Sequence, residues 1–119
     1  MLQASRGRLG RLPAMDVRVV ADDLIWASRL TAAIQRAGGT PVRSGGDMVI
    51  VDLGGRSYDG VDAVAQATAS GRPTIAVCQH EDVALRKRAL AAGARRVYSY
   101  NKMFSDGPRV VADLLASRS

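Results

Sequence analysis

The chain has 119 residues, of which 47% are hydrophobic and 24% charged, with a formal net charge of +6. This length fits one compact domain, and a single cysteine, Cys78, excludes an internal disulfide and a cysteine-based zinc site. Because no apolar run approaches the roughly 20 residues that span a bilayer and the N-terminus has no apolar signal core, the sequence predicts a soluble cytoplasmic protein.

Half of the net positive charge, three of the six units, lies in the first 14 residues. Arg6, Arg8 and Arg11 stand there without an acidic residue, which leaves 14 basic residues (17 − 3 = 14) and 11 acidic residues for 15–119. We therefore predict a flexible basic extension over 1–14, either a targeting segment or an arm that contacts an acidic partner. One domain over 15–119 follows it. With a balance of only +3 in that domain, the charge distribution argues against nucleic-acid binding.

Short β-branched runs alternate with amphipathic stretches along the domain. The predicted elements are a strand at 17–21, a helix at 24–37, a strand at 48–53, a helix at 61–69, a strand at 74–78, a helix at 81–92, a strand at 96–100 and a helix at 108–116. This alternation predicts an α/β fold in which a doubly wound parallel sheet carries helices on both faces.

The segment between Gly39 and Met48 does not fit this alternation. It offers one short strand, at 40–43, followed by only four residues. A parallel strand needs a crossover of about a dozen residues, whereas four residues extend at most roughly 14 Å. The sequence therefore predicts four to five strands, with the second helix missing and the second strand short or absent.

Three carboxylates follow neighbouring strands of the predicted sheet. Asp22 and Asp23 come after the first strand, and Asp52 ends the next one. Sites in such sheets lie at the carboxyl ends of the strands, and carboxylate oxygens are the ligands that Mg²⁺ prefers. The alternative is that each aspartate caps the helix that follows it.

Four segments carry a resemblance to a known family. They are Val19-Val-Ala-Asp-Asp23, Asp47-Met-Val-Ile-Val-Asp52-Leu-Gly-Gly-Arg-Ser-Tyr-Asp-Gly60, Arg72-Pro-Thr-Ile-Ala-Val77 and Arg88-Ala-Leu-Ala-Ala-Gly-Ala94. In this order and at nearly this spacing, they resemble the receiver domain of bacterial response regulators, the CheY-like family, over nearly all of residues 16–117. The resemblance implies a CheY-like, flavodoxin-like fold and a non-enzymatic role in two-component (phosphorelay) signalling.

The resemblance also implies a role for individual residues. In the family, the carboxylate at the position of Asp52 accepts a phosphoryl group from a histidine kinase. The implied Mg²⁺ ligands are Asp22, Asp23, Asp52 and the backbone carbonyl of Gly54. Cys78 stands at the position of the family's Ser/Thr hydroxyl. The family's lysine position falls on Tyr100, or on Lys102 if the junction after the last strand is about two residues longer.

These departures favour an alternative within the same family. A thiol is a weak hydrogen-bond donor, and a tyrosine supplies no ammonium group. The alternative is a degenerate receiver, or pseudo-receiver, which binds a protein partner such as a histidine kinase or a downstream effector without phosphorylation. Its expected surface is formed by the helix at 81–92, the last strand and the last helix. The basic residues of that region are Arg86, Lys87, Arg88, Arg95 and Arg96.

A third interpretation is that the protein is an enzyme. Asp22, Asp52 and His80 would serve a small flavodoxin-like hydrolase or nucleotide binder if the fold brought them together. The chain has no glycine-rich phosphate loop of the GxGxxG or GxxxxGK type. This absence argues against a nucleotide-dependent enzyme.

Overall fold

The computed structural model describes residues 15–117. They form β1 (Asp16–Val20), α1 (Leu24–Arg36), β2 (Thr40–Val42), β3 (Met48–Asp52), α2 (Gly60–Ala69), β4 (Thr74–Cys78), α3 (Val83–Ala91), β5 (Arg96–Ser99) and α4 (Tyr100–Ala116). The strands are parallel and lie in the order β2-β1-β3-β4-β5, which confirms the predicted doubly wound sheet. The predicted extension at 1–14 lies outside the described residues. Within 15–117, no helix has the length and apolarity needed to cross a membrane.

The two central strands are buried on both faces, as their unbroken apolar sequences require. Every residue of β3 and β4 is buried. Ile50 of β3 belongs to the cluster that packs against α1 and α4, whereas its neighbours Val49 and Val51 belong to the cluster that packs against α2 and α3. This alternation places one hydrophobic core on each face of the sheet.

The second strand is short and no helix follows it, as predicted. The pairing of β1 with β2 ends at Arg18 and Val42, while β1 continues along β3 to Val20. Gly45 and Gly46 then turn the chain back with φ values of +66° and +89°, a region that glycine adopts without steric cost. Because this turn replaces a crossover helix, only five residues separate β2 from β3.

Side-chain caps set where the helices begin. The carboxylates of Asp23, Asp59 and Asp82 each accept a backbone N–H from the first turn of α1, α2 and α3. The cap on α3 moves its start to Val83, two residues later than predicted. Of the three aspartates to which the capping alternative applied, Asp23 caps a helix, whereas Asp22 and Asp52 accept backbone N–H groups of the loop after β3.

The last helix begins earlier than predicted. α4 starts at Tyr100 instead of residue 108, because the hydroxyl of Ser99 accepts the N–H of Lys102 at 3.1 Å and caps a helix directly after β5. The helical geometry is broken at Asp106, where φ is −140° and ψ is 25°, so α4 consists of two helical segments that meet at a kink. Pro108 lies in the first turn of the second segment, as predicted, because proline has no N–H and is tolerated where a helical segment begins.

Candidate functional site

Asp52 lies at the carboxyl end of β3 and is almost completely buried, with 2% of its surface exposed. Its Oδ1 atom accepts the backbone N–H of Gly54 at 2.9 Å and also the hydroxyl of Tyr100. Tyr100 is the first residue of α4, so its side chain extends past the end of β4 to reach β3. One oxygen of the buried carboxylate therefore holds two donors from the protein itself.

The other two predicted carboxylates serve the loop and the helix next to them. The Oδ2 atom of Asp22 accepts the backbone N–H groups of Arg56 at 2.9 Å and Ser57 at 2.7 Å. Hydrogen bonds from the side chain and backbone of Ser57 hold the pKa of Asp22 below its usual range. Asp23 accepts the N–H of Trp26 at 3.0 Å and thereby caps α1. Both residues lie near the strand ends, as predicted, but each already has protein donors.

The carboxylates of Asp22, Asp23 and Asp52 each accept their backbone and tyrosine donors on one oxygen, and these hydrogen bonds within residues 15–117 leave the second oxygens unengaged. Among the same residues, no group of three or more His, Cys, Asp or Glu side chains is arranged as a metal site. The magnesium ligands implied by the resemblance, namely these three carboxylates and the Gly54 carbonyl, therefore stay a prediction.

Tyr58 is a site residue that the sequence reasoning missed. Its hydroxyl lies 2.7 Å from the carbonyl oxygen of Asp52 and 3.0 Å from that of Val20, so it links the ends of β3 and β1. The sequence offered one signal for it: Tyr58 is an aromatic residue in a loop whose other residues are small or polar. Burial, followed by the negative charges of Asp52 and Asp22, raises the pKa of Tyr58 well above 10.

Tyr100 shares this electrostatic environment. Burial is the main cause that raises its pKa well above 10, and the hydrogen bond to Asp52 and the charge of Asp52 add to it. The hydroxyl of Tyr58, on the Asp52 carbonyl, and that of Tyr100, on the Asp52 carboxylate, are thus held in their neutral, donating form.

Alkaline pH is expected to destabilise the domain through these two tyrosines. In the unfolded chain they ionise near pH 10, while in the folded domain their pKa values are higher. Their contribution to stability is therefore complete below pH 10 and is lost as the pH rises from 10 toward the folded-state values. Urea unfolding followed by circular dichroism between pH 8 and pH 11.5 should show the midpoint falling above pH 10, and less steeply in Tyr100→Phe. Equal slopes for the two proteins would contradict this assignment.

Within residues 15–117, the hydrogen bonds to the Asp52 carboxylate do not include the other three predicted side chains. The buried Cys78 thiol donates to the carbonyl of Gln79 at 3.4 Å, and burial raises its pKa. Lys102 forms an ion pair with Asp106 at 3.0 Å, one turn further along α4. His80 is exposed in the turn after β4.

Of the two candidates for the lysine position, Tyr100 and not Lys102 contacts Asp52. The hydrolase interpretation needs His80 beside Asp52, but among residues 15–117 the hydrogen bonds to the Asp52 carboxylate come from Gly54 and Tyr100. The geometry therefore does not support that interpretation.

An aromatic stack holds the Tyr100 ring against α1. The ring centroids of Tyr100 and Trp26 are 4.7 Å apart at an interplanar angle of 39°. The guanidinium of Arg29 lies 5.1 Å from the Trp26 centroid and 4.5 Å from that of Phe104, distances at which cation–π attraction operates. The stack fixes the direction from which the Tyr100 hydroxyl approaches Asp52.

Comparison with known proteins supports the fold assignment. No protein-family profile and no curated protein matches the chain. Among solved structures, the CheY-like receiver domain protein from Methanospirillum hungatei has 13% identity and a TM-score of 0.76, covering 89% of this chain and 97% of that one. The receiver domain of the Francisella response regulator 1452 has 13% identity and a TM-score of 0.72, covering 88% and 99%.

A third similar structure is a response regulator protein from Burkholderia pseudomallei that contains a phosphorylated aspartic acid, a calcium ion and citrate. It has 14% identity and a TM-score of 0.68, and the match covers 87% of this chain and 68% of that chain. Together with the order of the strands and the place of Asp52 at the end of β3, these similarities establish the architecture. The chain has the CheY-like receiver fold of response regulators.

Proposed function

We propose that this chain is a receiver-type signalling domain that acts by binding a protein partner, without phosphorylation of Asp52. The observation that carries the proposal is the hydroxyl of Tyr100 on Oδ1 of Asp52. A signalling protein of the two-component type, such as a histidine kinase or a downstream effector, is the proposed partner. The proposed role is non-enzymatic.

The groups around Asp52 support binding over phosphoryl transfer. Transfer of a phosphoryl group depends on positioning and on positive charge that stabilises the developing negative charge. The donors on the Asp52 carboxylate are neutral, namely the Tyr100 hydroxyl and the Gly54 amide. The Lys102 ammonium is paired with Asp106 instead. Charge-assisted hydrogen bonds are about twice as strong as neutral ones, so this site would hold a phosphoryl group weakly.

Burial also limits access to the carboxylate. Asp52 is 2% exposed, with Tyr58 against its backbone carbonyl and Tyr100 against its side chain. A phosphodonor would have to displace the Tyr100 hydroxyl before it could reach Oδ1. In this arrangement Asp52 serves as a hydrogen-bond acceptor that joins the end of β3 to the start of α4.

Exposure to a small phosphodonor tests the proposal. The full chain, incubated with acetyl phosphate and Mg²⁺, is expected to keep its unmodified intact mass under conditions that label a phosphorylatable receiver run in parallel. Asp52→Asn provides the blank for modification at other residues. A hydroxylamine-sensitive phosphoryl group that appears on the wild-type chain and not on Asp52→Asn would overturn the proposal and make Asp52 a phosphoacceptor.

A further inference from the structure

β5 forms one edge of the sheet and leaves part of its backbone unpaired. Val77 of β4 accepts the N–H of Leu53, so Val77 and Ile75 direct their backbone groups toward β3. Arg96 and Tyr98, which pair with Ile75 and Val77, therefore direct theirs toward β4. Because successive strand residues point alternately to the two sides, Val97 directs its N–H and C=O groups, and Ser99 its N–H, toward the open edge.

A groove runs along this edge, between β5 and α4. It has a volume of about 590 Å³ and is lined by Arg96 and Tyr98 from β5 and by Arg109, Val110 and Asp113 from α4, among others. A smaller cavity of about 120 Å³ shares Arg96, Tyr98 and Asp113 with it and extends to buried apolar residues of β4 and α4. The side chains of an added strand that point toward α4 would enter these two spaces.

The groove and its surroundings carry an excess of positive charge. Lys102 and Asp106 neutralise each other, in the single ion pair found among residues 15–117. The exposed Arg96 and Arg109 then face only Asp113. α3 contacts β5 from the other face of the sheet and adds the exposed Lys87 and Arg88. A segment that lies along β5 would thus meet cations from both layers of helices.

The opposite edge of the sheet is built differently. At β2, the N–H of Thr40 donates inward to the carbonyl of Met15, so the outward-facing position of this three-residue strand is Pro41. Proline has no N–H to offer an added strand, and it is a common protection of sheet edges. β5 has no such protection, which singles it out as the edge that can accept a strand.

We propose that β5 accepts an extended, acidic segment of the partner protein as a sixth strand of the sheet. The inference rests on the proposed function and names the chemistry of the partner. The outward backbone groups of Val97 and Ser99 would bond its backbone, and the surrounding arginines would attract its carboxylates. An open strand edge pairs with the backbone of a peptide and not with a nucleic acid, so a peptide segment is the proposed occupant.

Binding of a defined peptide to the full chain tests the proposal. The probe is an eight-residue peptide of alternating glutamate and valine, with both ends blocked, and its lysine–valine counterpart is the comparison. NMR-detected hydrogen exchange should show new protection at the amides of Val97 and Ser99. The amides of Arg96 and Tyr98 already face β4 and should not change. We expect the lysine peptide to bind at least about tenfold more weakly.

Two double variants distinguish binding in the groove from a general effect of the net charge of the protein. Arg96→Glu with Arg109→Glu should weaken binding of the glutamate peptide at least about tenfold. Arg36→Glu with Arg43→Glu makes the same change of charge away from the groove and should leave the affinity within about twofold. Equal losses in both variants, protection without alternation along β5, or tighter binding of single-stranded DNA than of the peptide would each overturn the inference.

The outcome is independent of the phosphodonor experiment. If Asp52 becomes phosphorylated while the peptide still protects Val97 and Ser99, the proposed function fails and the edge site stands. If Asp52 stays unmodified and the peptide does not bind along β5, the edge site fails and the proposed function stands.

Discussion

Replacing Tyr100 with phenylalanine is expected to lower the free energy of unfolding by about 2 kcal/mol, since hydrogen bonds to charged groups contribute about 1.5–3 kcal/mol. The hydroxyl is one of two donors to the Oδ1 atom of Asp52, and Asp52 is too buried to recover a full hydration shell. Urea unfolding at pH 7 measures the change. Tyr98→Phe is the matched control, because it removes a hydroxyl from β5 without touching Asp52, and it should cost less than about 0.5 kcal/mol.

A double-mutant cycle attributes this loss to the contact itself. Asp52→Asn, alone and combined with Tyr100→Phe, should give a coupling energy of at least about 1 kcal/mol, as residues in direct contact do. Strictly additive losses would mean that the phenylalanine variant acts through the ring stack with Trp26 and not through Asp52. The centroid distance of 4.7 Å in that stack should be preserved, because phenylalanine keeps the ring.

Truncating Ile50 to alanine is expected to cost about 3–4 kcal/mol, within the range of about 2–5 kcal/mol for large-to-small changes in a core. Ile50 has no exposed surface and lies on the central strand, in the cluster that includes Ile34 and Val111. A domain of this size has a total stability of roughly 5–15 kcal/mol. The variant should therefore unfold at a much lower urea concentration, and a substantial fraction should be unfolded at elevated temperature.

The same substitution on the surface provides the control. Ile25 on α1 is 62% exposed, so Ile25→Ala should change the free energy of unfolding by less than about 0.5 kcal/mol. Unfolding of both variants followed by circular dichroism gives the comparison directly. Similar losses at the two positions would contradict the assignment of Ile50 to the main core.

Most of the fold was predictable from local patterns. The apolar run of β4 at Thr74–Cys78 was predicted with both of its ends, and β3 and α1 differed from prediction by one residue at one end. The spacing between Gly39 and Met48 predicted a short second strand without a helix after it. Periodicity and chain length determine such features because each depends on residues close together in the sequence.

The last helix shows where local patterns stop being sufficient. Pro108 was interpreted as a first-turn residue, because proline is well tolerated there. The preceding segment, from Tyr100 onward, contains no strong apolar period of its own. It becomes helical because Ser99 caps it and because Met103 and Gly107 are buried against the core and α1. This packing is contributed by residues far away in the sequence.

For the site, the sequence by itself determined which residue types stand at the strand ends: the aspartates at 22, 23 and 52, the cysteine at 78, and a tyrosine where the resemblance expects a lysine. Only the tertiary structure decided what those groups contact. In the structure, Tyr100 contacts Asp52 and Lys102 pairs with Asp106. The Asp22 carboxylate accepts backbone N–H groups of the loop after β3. The physical reason is that a two-residue difference after β5 changes the direction of a side chain by about 200° once that segment is helical. That direction depends on the cap at Ser99 and the ring stack with Trp26, contacts that no run of neighbouring residues specifies.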